Sequence, residues 1–276
     1  MISAESVQQH YGETGLLARI EEALKTAGFG DKVLSWSDLS PLDQFHIRGL
    51  EATKELANAL NLTAGSTVLD VGCGLGGPAR YLSETYGCHV TGIDLSQQYI
   101  DAAQLLAERT GLADKSNFIQ GDALDLPFGP DSFDFAWTQH VAMNIADRKA
   151  FYENIYRVLK PGGSLAIYDV VAGNGEPLEF PVPWASRPEI SFLMTSEAMK
   201  EVLAETGFEP MMWMDKTAEG IAWFEAMLQD RKQSDAPNPL SLAVVMGPEF
   251  AGMAANLLRN LKQGRAGILQ AVVQKA

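Results

Sequence analysis

Acidic residues, histidines and closely spaced glycines in this 276-residue chain have the types and spacing that ligand binding and proton transfer require. Gly72, Gly74 and Gly77 follow the apolar residues 68–71 and match the G-x-G-x-x-G pattern. Pro78 suits the first turn of a helix, where a missing N–H costs nothing. The stretch therefore predicts a strand, a glycine turn that approaches a ligand closely, and a helix whose first N–H groups favour an anionic group.

Asp70 lies two residues before the first glycine and bears on which cofactor is bound. A pyrophosphate at this turn would lie near the carboxylate, and like charges repel in a partly dry site. S-adenosylmethionine has no phosphate, and it carries an ammonium and a sulfonium that a carboxylate attracts. Asp70 therefore favours S-adenosylmethionine over a dinucleotide, unless it only caps the glycine turn through its own hydrogen bonds.

Two further acids follow the next two predicted strands. Asp94 comes roughly 20 residues after the glycines, where folds of this kind place a carboxylate on ribose hydroxyls. Asp122 follows the third strand and can accept a hydrogen bond from an adenine amino group. The alternative for Asp122 is a turn residue that caps its own loop.

Together, these stretches resemble the class I S-adenosylmethionine-dependent methyltransferases over residues 40–215. The likeness rests on the motif at 68–77, on Asp94, on Asp122 in its loop and on the turn at 157–163. The resemblance implies an α/β fold, in which a doubly wound, seven-stranded and mostly parallel Rossmann-like sheet carries an N-terminal helical cap and a lid insertion. It also implies S-adenosyl-L-methionine as the cofactor.

Residues 75–80 and 94–96 are similar to a small-molecule group that contains sarcosine/dimethylglycine N-methyltransferases and ubiquinone/menaquinone C-methyltransferases. By this resemblance, backbone groups near Thr138 and Gln139 hold the methionine end of the cofactor, and His140 faces the transferred methyl group. The cofactor contacts that we expect are Asp70, Gly72, Gly74, Arg80, Asp94, Leu95, Asp122, Ala123, Thr138 and Gln139.

Hydrophobic periodicity indicates the elements that position these residues. Apolar residues at helical spacing predict helices over 13–27 and 42–60, which places a helical cap at 1–65. The cofactor-binding core is predicted to occupy residues 66–276, and its last strand, 267–273, to run antiparallel.

Acceptor residues are expected in the cap and in a loop near 171–194, whose prolines and glycines exclude a helix or a central strand. A long loop of this kind is often a lid or a binding loop. Trp184 can stack on a ring or face a cation, and Arg187 can bind a substrate carboxylate. Tyr11 of the cap is a third candidate. The alternative is an ordered surface loop pinned by Trp184.

His140 is the first candidate for a general base and His46 the second, because an unperturbed histidine titrates near pH 6.5. A base is needed only if the acceptor must lose a proton. Otherwise His140 only binds the loop or orients the substrate. The four histidines are scattered, and none is spaced from another histidine or a cysteine as metal ligands are, so no metal site is expected.

Charge and composition limit the partners that we expect. A net charge of −14 and a pI near 4.7 argue against nucleic acid and against an anionic membrane surface. With two cysteines and no apolar run of membrane-spanning length, a cytoplasmic monomer or homodimer is the simplest expectation.

The sequence therefore predicts methyl transfer to a small metabolite, with an amine nitrogen, of a glycine- or sarcosine-like acceptor or of another amine, placed first. C- or O-methylation of a quinone-like, sterol-like or natural-product acceptor is the alternative. Two other classes stay open, a nucleotide-cofactor oxidoreductase and a cofactor-binding sensor without turnover.

Overall fold

A computed structural model describes residues 15–233 and 238–276 of the chain. From residue 15 onwards, three helices precede the sheet: α1 (Leu16–Thr26), α2 (Trp36–Asp43) and α3 (Gly49–Asn58). The first half of the sheet then alternates with helices as β1 (Thr67–Val71), α4 (Gly77–Tyr86), β2 (His89–Asp94), α5 (Gln97–Arg109), β3 (Ser116–Gln120), β4 (Phe133–Gln139) and α6 (Arg148–Val158). The second half comprises β5 (Leu159–Ala172), α7 (Ser196–Thr206), β6 (Phe208–Asp215), α8 (Thr217–Gln233), α9 (Ala243–Met246), α10 (Phe250–Lys262) and β7 (Ala266–Lys275).

The seven strands form one sheet in the order β3-β2-β1-β4-β5-β7-β6, which confirms the predicted fold class. Every neighbouring pair up to β5 is parallel, and β7 runs antiparallel to both β5 and β6, as predicted. Chain order reverses between β1 and β4, so the carboxyl ends of these strands border a crevice where doubly wound sheets bind ligands.

Buried apolar side chains cover both faces of the sheet, and a separate cluster lies at one edge. That cluster joins Leu16 and Ile20 of α1 to Leu106 of α5, and it also contains Leu240 and Val245 from the opposite end of the chain. Helix α1 therefore packs against α5 together with the segment around α9.

The predicted helix over 42–60 is wrong in its bounds, because the structure has two helices, α2 and α3, with a break between them. Ser35 and Asp38 form a capping box that starts α2 before the second predicted helix, and the Asp38 carboxylate accepts a hydrogen bond from the Ser35 N–H at 2.8 Å. Arg48, with a φ of +68°, precedes α3. The break places residues 44–48 against the sheet instead of on a helix surface.

The predicted loop near 171–194 is an ordered strap, which we define as residues 173–195. The carboxamide of Asn260 in α10 bonds to both the N–H and the C=O of Glu179, at 2.8 and 3.0 Å. On the other side, the Asn144 side chain donates to the Trp184 carbonyl at 2.8 Å, and the Phe192 N–H donates to the Met143 carbonyl at 2.8 Å. The strap is therefore held from two sides.

Candidate functional site

A cavity of about 880 Å³ lies at the carboxyl ends of the parallel strands, within the usual size range of small-molecule sites. One part of its lining comes from strand ends and the turns after them, namely Gly72, Gly74, Ile93, Asp94, Leu95, Ser96, Gly121, Asp122, Ala123, Leu124, Gln139, His140 and Val141. The rest comes from Phe45, Tyr99, Met143, Asn144, Ile145, Ala146, Asp147, Pro183, Trp184, Phe192, Leu242, Met246 and Phe250.

The glycine turn after β1 depends on residues without a Cβ. Gly72 has a φ of +74°, and a Cβ at this position would lie 2.4 Å from Cγ2 of Val141. Its N–H donates to the Ile93 carbonyl at 2.7 Å. The Gly74 N–H donates to Oδ2 of Asp94 at 3.0 Å. The turn is thus bonded to the end of β2 and leaves its open side to the cavity.

Asp94 faces the cavity from the end of β2, as its predicted role requires. Its carboxylate accepts hydrogen bonds from the N–H groups of Gly74 and Ser96, at 3.0 and 2.9 Å. Burial nevertheless raises the pKa of Asp94 above its usual value. The structure therefore fixes the carboxylate at the site where a ribose contact is predicted.

Asp70 lies within β1 beneath the glycine turn and is only 2% exposed. Its Oδ2 is buried without a hydrogen-bond partner, and Asp70 does not line the cavity. Burial, with a smaller contribution from Asp94, raises the pKa of Asp70 to about 8. An unpaired carboxylate at this position fits a cofactor that brings a positive group and opposes one that brings a pyrophosphate, so the residues present fit S-adenosylmethionine.

Arg80, expected to contact the cofactor, is fully buried and does not line the cavity. Its guanidinium forms an ion pair of 2.7 Å with Asp43 and lies 3.4 Å from the Ala103 carbonyl. The side chain therefore joins α4 to the end of α2, and the expected ligand contact is corrected to a structural one.

Asp122, Ala123 and Leu95 line the cavity as predicted from their positions after β2 and β3. The Asp122 carboxylate accepts a hydrogen bond from the Leu124 N–H at 2.9 Å. Asp122 therefore caps its own loop and also faces the cavity, so the two alternatives for this residue are compatible.

Thr138 and Gln139 differ in their access to the cavity. Thr138 is fully buried and does not line it, whereas Gln139 does. Oε1 of Gln139 accepts a hydrogen bond from the indole N–H of Trp137 at 2.8 Å, and Nε2 is buried without a partner. The Gln139 side chain is thus a potential ligand contact in addition to the backbone.

His140 lines the cavity directly after β4, in a left-handed conformation with a φ of +54°. Its N–H donates to the Tyr168 carbonyl at 2.8 Å, and its ring stacks on the Tyr168 ring with centroids 5.6 Å apart. Nε2 is buried without a partner. Burial, and then the neighbouring His46, lower the pKa of His140 well below its usual value, so the imidazole is neutral at physiological pH.

His46 lies behind His140 and does not line the cavity. The two ring centroids are 6.1 Å apart, and Nε2 of His46 is 2.9 Å from the Gly49 carbonyl. Burial lowers the pKa of His46 to about 4. His46 therefore supports His140 from the cap, and its expected role as a second base is corrected because it does not reach the cavity.

The acceptor residues predicted from sequence have different surroundings. Tyr11 lies outside the described residues. Trp184 is buried in the cavity wall, and its indole N–H donates to Oγ of Ser191 at 2.9 Å. Arg187 is 64% exposed, lies 3.7 Å from Glu189 and does not line the cavity, so its expected carboxylate contact is corrected.

Sequence reasoning missed most of the apolar wall. The missed residues are Met143, Ile145, Phe192, Leu242, Met246 and Phe250. Their signal in the sequence is weak, because Met and Phe in loops and short helices are more often core residues than ligand contacts. Only the fold brings Phe192 and the segment around α9 to the same cavity.

The charged residues that line the described cavity are Asp94, Asp122 and Asp147, and neither lysine nor arginine is among them. Within residues 15–233 and 238–276, no group of three or more His, Cys, Asp or Glu side chains is arranged to hold a metal ion. No described helix combines the length and the apolar character needed to cross a bilayer.

Comparison with known proteins gives a consistent family assignment. A family model described as a methyltransferase domain matches residues 69–167. An O-methyltransferase of Pyrenophora dematioidea is 34% identical over 182 residues, which cover 65% of this chain and 68% of that protein. A sterol 24-C-methyltransferase of Gibberella zeae is 40% identical over 114 residues, or 41% of this chain. The chain spans only 30% of the length of that sterol enzyme.

Among solved structures, the chain is similar to Haemonchus contortus phosphoethanolamine N-methyltransferase 2 in complex with S-adenosyl-L-methionine. The TM-score is 0.75 at 19% sequence identity, and the match covers 100% of this chain and 60% of that chain. At this identity the structural similarity shows the fold alone, and the family assignment rests on the proteins that are similar in sequence.

Proposed function

This chain belongs to the class I S-adenosylmethionine-dependent methyltransferases, and on that premise we propose that it methylates a hydroxyl group of an uncharged, largely apolar metabolite. The observation that carries the proposal is the wall built by Met143, Trp184, Phe192, Met246 and Phe250. Burial of an acceptor's apolar surface against this wall is favourable by roughly 25 cal/mol per Å² removed from water.

The charges that line the cavity favour a neutral acceptor. An anionic acceptor would enter a cavity with three carboxylates and no described lysine or arginine, and its desolvation would not be compensated. Glycine- and sarcosine-like amines carry a carboxylate, and Arg187, the residue expected to bind it, lies outside the cavity. This geometry therefore does not favour a glycine- or sarcosine-like acceptor.

His140 is suited to take the proton that a hydroxyl must lose. His140 lines the cavity, and its lowered pKa keeps the imidazole neutral, with a lone pair available at physiological pH. The stack on Tyr168 and the contact with His46 hold the ring in place. A positioned base of this kind contributes typically 10²–10⁴-fold to a rate.

The cofactor, when bound, supplies an electrophilic methyl group on a sulfonium. Gly72, Gly74 and Asp94 would hold it at the ends of β1 and β2, with Asp70 beneath the turn. The chain contributes alignment and water exclusion, because the strap and the segment around α9 cover the cavity with apolar side chains. The O-methyltransferase of Pyrenophora dematioidea, by its name, transfers methyl to oxygen, and this supports the choice of atom.

A matched acceptor panel tests the proposal. The purified chain is incubated with S-adenosylmethionine and, in separate reactions, with a dihydroxynaphthalene, the sulfonate derivative of the same ring, glycine, or sarcosine. The formation of S-adenosylhomocysteine is measured in each reaction. We expect turnover of the neutral phenol and much lower kcat/KM for the sulfonate and both amino acids. Preferred turnover of glycine, sarcosine or the sulfonate would contradict the proposal.

A further inference from the structure

Two buried charged side chains, those of Asp169 and Arg148, lie behind the apolar wall. Asp169 belongs to β5 and is fully buried, and Arg148, the first residue of α6, is 5% exposed. Neither residue lines the described cavity. Charged side chains are rarely buried to this extent unless they are paired or hydrogen-bonded, so their partners indicate what they hold in place.

Asp169 holds the segment between β4 and α6. Its Oδ2 accepts a hydrogen bond from the Ala142 N–H at 3.0 Å, and its Oδ1 accepts one from the Val170 N–H at 3.1 Å. Ala142 begins a short 3₁₀ helix that ends at Asn144. The carboxylate therefore fixes the start of the turn that carries Met143, a residue of the apolar wall.

Arg148 holds the strap against the same turn. Its Nη2 donates to the Phe192 carbonyl at 2.9 Å, and the Phe192 N–H donates to the Met143 carbonyl at 2.8 Å. A hydrogen bond from a guanidinium is charge-assisted and stronger than one between neutral groups. Phe192 is thus bonded at its carbonyl to α6 and at its N–H to the turn after β4.

The two charges also act on each other. Burial raises the pKa of Asp169 to about 6, and the positive charge of Arg148 opposes this rise. Burial raises the pKa of Tyr152, one turn along α6, and there Arg148 opposes the rise while Asp169 adds to it. The contact with the strap and the contact with the turn therefore belong to one buried network.

This network leads to the acceptor side of the cavity. Met143 and Phe192 are part of the apolar wall, and the side chain of Asn144 donates to the carbonyl of Trp184, another wall residue, at 2.8 Å. The glycine turn is bonded instead to the end of β2. A change in the network should therefore alter the wall and spare the groups expected to hold the cofactor.

We propose that Arg148 and Asp169 are positioning residues that set the affinity for the acceptor, because they fix Phe192 and Met143 in the wall that the acceptor contacts. The inference rests on the proposed function, since it takes this wall as the acceptor site. Neither side chain lines the cavity, so both act through the backbone groups to which they bond.

Arg148→Met tests the inference, because it removes the donor to Phe192 and keeps an unbranched side chain. Hydrogen exchange of the acceptor-free protein, measured by mass spectrometry, should be about 10- to 100-fold faster over residues 184–193, the range expected for the loss of a hydrogen bond to a charged group. KM for the dihydroxynaphthalene should rise about tenfold or more, with kcat and the affinity for S-adenosylmethionine nearly unchanged. A raised KM at constant kcat is the signature of lost acceptor binding.

Arg157→Met is the matched control. Arg157 lies on the same helix, and its guanidinium also donates to backbone carbonyls, those of Phe128 and Leu126, at 2.6 and 2.8 Å. Neither Phe128 nor Leu126 lines the described cavity, so this variant should change neither the exchange of the strap nor the KM for the acceptor.

Asp169→Asn tests the other half of the network, and it should also raise KM, because the amide offers one oxygen in place of two. The double variant Arg148→Met/Asp169→Asn leaves neither charge unpaired, so it should fold even if Asp169→Asn does not. Its KM should be at least as high as that of Arg148→Met.

Unchanged exchange of the strap in Arg148→Met, faster exchange with an unchanged KM, or equal rises in KM for the Arg148 and Arg157 variants would overturn the inference and leave the proposed function intact. A wild type that binds S-adenosylmethionine and methylates no neutral phenol would contradict the proposed function and, with it, the acceptor role of the wall.

Discussion

The guanidinium of Arg80 and the carboxylate of Asp43 lie 2.7 Å apart, and both side chains are buried. Arg80 belongs to the helix that follows the glycine turn, and Asp43 ends a helix of the cap. Contact between the two segments is close, since a Cβ added to Gly77 would lie 2.5 Å from the Asp43 carbonyl oxygen. The pair therefore fixes the end of α2 against α4.

Removing the carboxylate of this pair should destabilise the fold strongly. Asp43→Asn leaves the buried Arg80 charge uncompensated, which costs about 3–5 kcal/mol. Arg187→Ala removes an exposed partner of Glu189 and should cost under ~1 kcal/mol. Urea denaturation of both variants measures the difference, and equal free energies of unfolding would show that the buried pair does not anchor the cap.

Asp70 should lower stability in the absence of cofactor as the pH rises. Its folded pKa of about 8 lies above the usual value near 4, so the folded state binds the proton more tightly. The stability it contributes is present below pH 4 and is lost as the pH rises to 8. Asp70→Asn mimics the protonated form, so at pH 8 the variant should be more stable than the wild type by about 1–3 kcal/mol.

Thermal unfolding of the cofactor-free protein at pH 5 and pH 8 measures this difference, with exposed Asp114→Asn as the control. The same Asp70→Asn variant should bind S-adenosylmethionine more weakly, since it lacks the carboxylate for a positive group. A gain in stability that is the same at both pH values would show that Asp70 does not titrate in this range.

His140→Gln should lower kcat by about 10²-fold or more and leave the affinity for S-adenosylmethionine nearly unchanged. Because burial lowers the pKa of His140, the acidic limb of the kcat/KM profile of the wild type should lie below pH 6.5. His89→Gln, on the exposed start of β2, is the matched control and should retain activity. Full activity of the His140 variant would exclude proton transfer by this side chain.

The apolar wall should set acceptor affinity without affecting the cofactor. Met246→Arg places a charge among apolar side chains, so kcat/KM for a neutral acceptor should fall at least about tenfold. The affinity for S-adenosylmethionine should stay unchanged. Met211→Arg adds the same charge to an exposed position on β6 and should change neither. Parallel losses of acceptor turnover and cofactor affinity in Met246→Arg would show that this residue belongs to the cofactor site instead.

The fold class followed from the family resemblance that the motifs carry. Local patterns in the sequence were enough to predict the glycine turn and the positions of Asp94, Asp122 and His140 at the cavity. Each of these follows from a strand end and the turn after it, and a parallel sheet brings such ends together. The antiparallel last strand, predicted over 267–273, is also confirmed.

The outcomes for Arg80, His46 and Arg187 could not be predicted, because each depends on a partner distant in sequence or on the path of a loop. Arg80 forms an ion pair with Asp43 of a different helix. His46 contacts the carbonyl of Gly49, which it can reach only because the chain breaks between α2 and α3. The apolar wall depends on tertiary packing in the same way, since Phe192 and Phe250 line one cavity only after the strap and the last helices have packed. Tertiary packing therefore decides which of the candidate side chains reach the ligand.

The most direct test of the central claim is mass spectrometry of a metabolite extract incubated with the protein and S-adenosyl-L-methionine carrying a trideuterated methyl group. The account predicts a labelled product in the organic fraction, uncharged and methylated on oxygen, and much less of it with His140→Gln. A labelled product confined to the anionic fraction or methylated on an amine would contradict the acceptor assignment. Bound cofactor without a labelled product in any fraction would contradict turnover and favour a sensor.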